Sequence, residues 1–214
     1  MNNFAFYCSG NASRVTKFYD SDEIRNNFRC SFIYYDNSSN VVIDKLKSVK
    51  PIGCELIIPD DMTSKLPRNE FSKYISNELN YYMNKMEVNY LFCFGDKILK
   101  DPLISNYYMK IVNFHPSLLP AFPGLNAIDQ ALKTSVQILG NTAHFIDYRM
   151  DSGPIILQSV ISRSRYSSYE DVLDLQIPML KKIWSWLEKD MIIFNQNFIS
   201  IKGEQNINNI YFSA

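Results

Sequence analysis

The chain has 214 residues, with 22 basic side chains against 22 acidic ones, and this neutrality excludes the built-in attraction for nucleic acid or anionic membranes that a basic chain carries. At 46% hydrophobic and 14% aromatic it can bury a full core, which excludes a disordered chain and fits one large domain, or one domain with a small appendage. The opening Met1-Asn2-Asn3-Phe4-Ala5-Phe6-Tyr7 has no basic stretch ahead of a sustained apolar run, and no apolar run approaches a membrane span, so a cytoplasmic protein with no membrane partner is expected.

In chain order, Phe4 to Cys8, Cys30 to Tyr35 and Glu55 to Ile58 are short and rich in aromatic or β-branched residues, as strands are. Ser13 to Phe28 and Val41 to Val49 read as helices, or helix with loop. Asn69 to Met86 sets Phe71, Tyr74, Ile75, Leu79 and Met83 on one helical face. Tyr90 to Phe94 is a fourth strand and Lys110 to Phe114 a fifth. Gly140 to Asp147 and Pro154 to Ser162 read as two more. Ser168 to Lys189 reads as one long helix, N-capped by Ser168, with Val172, Leu175, Met179, Ile183, Trp186 and Leu187 facing the core. Beyond Met191, the runs Ile192-Ile193-Phe194 and Phe198-Ile199-Ser200-Ile201 suggest a terminal hairpin. Strands alternating with helices predict an α/β fold: a mostly parallel twisted sheet of about seven strands with flanking helices. The expected division is a catalytic domain over 1–190 and a C-terminal extension over 191–214. Cys8, Cys30, Cys54 and Cys93 are far apart, without paired ligand spacing, so no metal site is expected and the thiols read as buried.

The stretch from Lys110 to Gln158 carries the chemistry. Pro116 has no N–H to continue a ladder, so Asn113-Phe114-His115 reads as a strand end, and residues two apart in a strand share a face. Asn113 and His115 thus project together, an amide donor beside a titratable imidazole. Asp151 follows in a Met-Asp-Ser-Gly-Pro turn. Transfer of an acyl group to an amine needs such a set: donors for the tetrahedral oxyanion, and a carboxylate to orient the imidazole and take part in moving the amine's proton. Each residue also has a plain structural reading, as backbone cap, strand-end histidine and turn.

Two loops belong with this stretch. Ser9-Gly10-Asn11-Ala12-Ser13 joins the first strand to a helix and reads equally as a phosphate-binding turn or as an ordinary one. Phe94-Gly95-Asp96-Lys97-Ile98-Leu99 lies at the carboxyl end of the fourth strand, where open α/β sheets place ligands; Lys97 also reads as a solvated lysine.

Together these segments resemble the formyltransferases that use 10-formyltetrahydrofolate, most of all the branch that formylates glycinamide ribonucleotide. The resemblance rests on Asn113-Phe114-His115-Pro116-Ser117-Leu118-Leu119-Pro120 and Asp151-Ser152-Gly153-Pro154. It extends to Pro123-Gly124-Leu125, Gln130-Ala131-Leu132 and Thr142-Ala143-His144-Phe145. It implies a Rossmann-like formyltransferase fold, 10-formyltetrahydrofolate as co-substrate, no metal, and a small-molecule amine as acceptor. Asn113 would hold the formyl oxygen, His115 stabilise the oxyanion, and Asp151 orient His115. Phe92, Lys97, Ile98, Leu99, His144 and Asp147 would surround the folate. Ser9, Gly10, Asn11, Ala12, Ser13 and Arg14 would receive the acceptor's phosphate. A homodimer fits the class. The short approach to Asn113 and the short tail predict no extra regulatory or RNA-binding domain.

The resemblance departs at Ala12 and Arg14, where glycine and asparagine are usual, and at Lys97, where arginine is usual. On ungapped counting from Asp151, Ile177 and Leu180 fall where relatives place polar groups around ribose and phosphate, and a one-residue gap would bring Gln176 or Lys181 there. A nucleotide-linked amino sugar is therefore the expected acceptor. Glycinamide ribonucleotide is the alternative, and an inactive folate-binding module is an alternative of another class. The roles of Arg163 and Arg165 are open between a phosphate contact and a solvated edge.

Overall fold

The computed structural model describes residues 2–60, 66–165, 168–195, 198–203 and 210–212. It divides into two compact units, one ending at Ile111 and one beginning at Val112.

The first unit holds β1 (Phe4–Cys8), β2 (Phe32–Tyr35), β3 (Glu55–Ile57) and β4 (Tyr90–Phe94). They pair in parallel in the order β3-β2-β1-β4, with Phe6 opposite Ile33 on one side and Phe92 on the other. All five residues of β1 are buried, as expected of a parallel strand covered on both faces, and this explains its unbroken apolar run. Phe92 stacks on Phe4 and tilts against Phe6, with centroids 5.6 and 5.5 Å apart, and Phe18 and Tyr19 pack edge-on at 4.8 Å. The expected helix 13–28 is two: α1 (Ser13–Phe18) and α2 (Asp22–Asn27). Ser21 starts the second by accepting from the Ile24 N–H, so a cap splits the segment. Next come α3 (Asn40–Val49), α4 (Arg68–Lys85) and a short α5 (Leu103–Asn106) that the apolar pattern did not signal.

The second unit is built on β5 (Ile111–His115), β6 (Ile138–Phe145) and β7 (Ile155–Ser162). The pairing is antiparallel throughout: Asn113 lies opposite His144 and His115 opposite Thr142, with a register shift between β6 and β7 at Ala143/His144. A short α6 (Ala127–Leu132) packs on this sheet. The long helix expected over 168–189 is α7 (Tyr169–Asp174) followed by α8 (Gln176–Glu188). Pro178 is the cause: it lacks the N–H that would bond Asp174, and its ring crowds that carbonyl. Ser168 caps α7 in a reciprocal box with Asp171, as the sequence indicated. The terminal hairpin forms from β8 (Ile192–Phe194) and β9 (Ile199–Ile201), and β10 (Ile210–Phe212) pairs in parallel with β7.

The fold is thus the expected α/β one. Among the described residues eight strands take part in the main ladders, β10 being the addition to the seven read from sequence. No described helix is long and apolar enough to cross a membrane.

Candidate active site

β5 and β6 bring four chemical groups together in the second unit. Because Asn113 and His144 are register partners, their side chains meet, Asn113 Nδ2 lying 3.2 Å from His144 Nε2. Two residues along β5 on the same face, His115 turns Nδ1 toward Asp151 Oδ2 at 3.5 Å, and Asp151 Oδ1 is 3.8 Å from His144 Nε2. The sequence placed His144 among folate contacts; the structure sets it inside the cluster formed by Asn113, His115 and Asp151.

The hydrogen bonds fix the protons on both rings. A carbonyl oxygen only accepts, so His115 Nε2, 2.9 Å from the Phe122 carbonyl, carries hydrogen and leaves Nδ1 as the nitrogen facing Asp151. His144 Nδ1 donates to the Phe145 carbonyl at 2.9 Å by the same logic, so its Nε2 is a lone-pair acceptor for the Asn113 amide. Burial holds the His144 imidazole below its ordinary range, which keeps that lone pair available. Asn113 is half-buried, and with one N–H on His144 its amide plane is set.

Asp151 is held from both ends of its turn. Its backbone takes the left-handed conformation, φ 50°, tolerated by Asp at small cost, and Oδ2 accepts from the Gly124 N–H at 2.7 Å. Gly153 closes the turn against β6: a Cβ there would lie 1.8 Å from the Phe145 carbonyl oxygen, so only glycine fits. The loop after His115 is pinned as firmly. Thr142 Oγ1 donates to the Ser117 carbonyl and accepts from the Leu119 N–H, while Gln158 Nε2 donates to the Leu119 carbonyl and to Thr142 Oγ1. The Phe122 carbonyl, the Gly124 N–H, Thr142 and Gln158 were not assigned these roles from sequence, since each acts by backbone or as a support. The signals were the motifs Pro123-Gly124-Leu125 and Thr142-Ala143-His144-Phe145, which hold Gly124 and Thr142.

In the first unit the residues expected to bind substrate and folate are more occupied than the sequence suggested. Asp36, at the end of β2, is 6% exposed and accepts from Tyr7 Oη and Ser9 Oγ, both at 2.8 Å and both on Oδ2. Ser9 Oγ also accepts from the Asp96 N–H at 3.1 Å, so its hydroxyl is engaged on both sides. Lys97 Nζ lies 3.7 Å from Asp36 and 2.5 Å from Asp96, which replaces the solvated lysine with an ion-paired one. Burial raises the Asp36 carboxyl above the usual range. Asp36 was absent from the sequence reading because nothing in its neighbourhood marks it as buried.

The surroundings of the remaining expected residues vary. Phe92 cannot contact folate through its ring, which is fully buried in the aromatic core. Asp147 is occupied by its own turn, accepting from the Arg149 N–H and Ser152 Oγ. Ile98 is 56% exposed while Leu99 is buried, so the two differ in what they can offer a ligand. Ala12 takes φ 50°, the left-handed backbone a glycine would supply, so the loop keeps that shape despite the substitution. Gly10 and Asn11 are exposed, and Asn11 Oδ1 accepts from the Ser13 N–H as α1 begins. Arg14 is partly buried and donates to Ser13 Oγ. Leu180 is fully buried and cannot line an acceptor surface; Gln176 is buried too. Arg163 donates to the carbonyls of Leu132, Thr134 and Val136, a structural role. The Arg165 side chain lies outside the described residues.

An amide donor and two imidazoles on adjacent strands, with a carboxylate from the turn that follows, are the groups an acyl-transfer class of site uses. A family model described as formyl transferase matches residues 2–174, and the chain belongs to that family. It is 41% identical over 88 residues to the phosphoribosylglycinamide formyltransferase of Bacillus subtilis, a stretch covering 41% of this chain and 45% of that protein. It is 32% identical over 118 residues to the formyltetrahydrofolate deformylase of Escherichia coli K12, covering 54% of this chain and 41% of the relative. The matched stretch thus spans less than half the length of either relative. A solved phosphoribosylglycinamide formyltransferase from Anaplasma phagocytophilum shares the fold with a TM-score of 0.78 at 23% identity, over 100% of this chain and 99% of that one.

Proposed function

We propose that the chain is an N-formyltransferase that moves a formyl group from 10-formyltetrahydrofolate to the primary amine of a small acceptor, and that the acceptor is glycinamide ribonucleotide. The observation that carries the reaction is the cluster of Asn113, His115, His144 and Asp151. The amine nitrogen attacks the formyl carbon and a C–N bond forms. The carbonyl oxygen gains negative charge, which Asn113 stabilises through an N–H. Asp151 and His115 Nδ1 stand where a proton leaving the amine can be held. The bond from the formyl carbon to N10 of the folate then breaks, and that proton ends on N10, so formamide and tetrahydrofolate result. His144 takes no proton in this scheme; it fixes the Asn113 amide.

The choice of acceptor rests on the relatives and on the loss of two arguments against it. The amino-sugar expectation rests on Ala12, Arg14, Ile177 and Leu180 together. Leu180 is core, and Ala12 keeps the glycine-like backbone that a phosphate loop uses. Arg14, Ile177 and Lys97 remain as departures, Ile177 being only partly buried and Lys97 already paired with Asp36 and Asp96.

A second reading has its own support in the deformylase relatives: water in place of the amine, releasing formate. The experiment supplies purified protein with 10-formyltetrahydrofolate and follows tetrahydrofolate with no acceptor, with glycinamide ribonucleotide, and with a panel of nucleotide-linked 4-amino sugars. Turnover that requires glycinamide ribonucleotide supports the proposal. Turnover without an amine supports hydrolysis, and turnover only with amino sugars restores the acceptor read from sequence.

A further inference from the structure

Behind the catalytic strand, a buried array of side-chain amides joins β5, β6, β7, α7 and α8 of the second unit. Asn141 of β6 is 0% exposed and Gln176, the first residue of α8, is 2% exposed. Asn141 Nδ2 lies 2.6 Å from the Val172 carbonyl and 3.3 Å from Ser159 Oγ. Gln176 Nε2 lies 2.9 Å from Asn141 Oδ1 and 3.3 Å from the Phe114 carbonyl.

The direction of every bond follows from the two carbonyls. Val172 O only accepts, so the Asn141 atom against it is the amide nitrogen, and Oδ1 is left to accept from Gln176. Phe114 O likewise requires the nitrogen of Gln176. Both N–H groups of Gln176 are then committed, one to β5 and one to Asn141. Phe114 stands between Asn113 and His115, and its carbonyl belongs to the peptide that leads into His115. Gln176 is too buried to reach a ligand, and a buried amide left unpaired is costly, so the array is satisfied as a whole or not at all.

We infer that Gln176 is a positioning residue for formyl transfer: from α8, and held by Asn141, it fixes the peptide between Asn113 and His115 and so sets the relative aim of the two groups. This rests on the formyltransferase reading above. It assigns α8 a role in catalytic geometry rather than in acceptor contact.

Two variants of the full chain test it. Gln176→Met keeps length and removes both donors. It should lower kcat by about tenfold to a hundredfold, the range in which misplacement of a catalytic group falls, and leave KM for 10-formyltetrahydrofolate within about twofold. Gln176→Glu keeps the shape but turns an oxygen toward Phe114 O and Asn141 Oδ1. Asn141 cannot turn over without losing its bond to Val172, so only the protonated acid can donate. The kcat of Gln176→Glu relative to the parent should therefore rise as pH falls, while the ratio for Gln176→Met stays flat.

The chain has two histidines, so isotope-labelled histidine gives two ring systems, assigned with His144→Gln. Gln176→Met should shift the His115 ring-nitrogen signals in the absence of any substrate. Parental kcat in folded Gln176→Met together with unmoved His115 signals would overturn the inference. Should Gln176→Met not fold, a flat pH ratio for Gln176→Glu overturns it alone. If the signals move but the parent transfers no formyl group to any amine, the formyltransferase reading fails and the control of His115 by Gln176 stands.

Discussion

The two units treat their polar residues differently. In the second unit, Asn113, His115, His144 and Asp151 contact one another while carbonyls and backbone N–H groups hold them from behind, so the reactive atoms are aimed and supported. In the first unit, Asp36 gathers Tyr7, Ser9 and Lys97 onto one carboxylate oxygen, and the groups expected to meet ligands are engaged with the protein itself. The contrast separates a cluster whose side chains face one another from a loop whose electrostatics are balanced internally. Removing a member of the first set should act on rate, and removing a member of the second on binding.

The largest effect is expected at His115. His115→Ala should lower kcat by about 10²–10⁴-fold, the range of a positioned acid or base, with melting little changed. If His144→Ala costs more than His115→Ala in equally folded proteins, the roles of the two imidazoles are reversed. Asn113→Ala comes next, at about 10²–10³-fold, as for the loss of one oxyanion donor. A variant within tenfold of the parent would remove Asn113 from charge stabilisation.

Asp36→Asn sharpens the other half of the comparison. Asn can still accept from Tyr7 and Ser9 but removes one of the two carboxylates beside Lys97, leaving Asp96, so a phosphate-bearing acceptor should bind more tightly by up to about 1 kcal/mol, roughly fivefold in KM, with the gain fading at high salt. Unchanged KM across salt would detach Asp36 and Lys97 from acceptor binding.

The smallest effect concerns stability. Burial depresses the folded-state value for His144, so the unfolded chain binds that proton more readily; stability is present above the unfolded value near 6.5 and is lost as pH falls through the lower folded one. His144→Gln should flatten this part of the acid loss, visible as a smaller difference between Tm near neutrality and Tm below pH 6. An acid slope identical to the parent's would show that another group carries it.

The residues of the cluster stand out in sequence because they are chemically distinctive and lie in motifs beside prolines and glycines, which fix local backbone. Asn113, His115 and Asp151 were legible for that reason, as were the parallel strands β1 to β4 from their apolar runs. What stayed hidden acts through tertiary partners. The contact of His144 with Asn113 was not legible, because the register that makes it belongs to the β5–β6 ladder, which no local pattern records. Leu180 was counted toward the acceptor by spacing alone, whereas the turn of α8 after Pro178 carries it into the core. Asp36 and Gln176 look like surface residues in sequence, and only their burial reveals them as organising groups.

On the function proposed, this cluster moves a formyl group to an amine. The most direct measurement is tetrahydrofolate release from 10-formyltetrahydrofolate by the parent and by Asn113→Ala, with and without glycinamide ribonucleotide. Release should require the amine, with formylated acceptor formed in equal amount, and should fall by about 10²-fold or more in the variant. Release that proceeds equally without any amine, or that Asn113→Ala leaves unchanged, would contradict it.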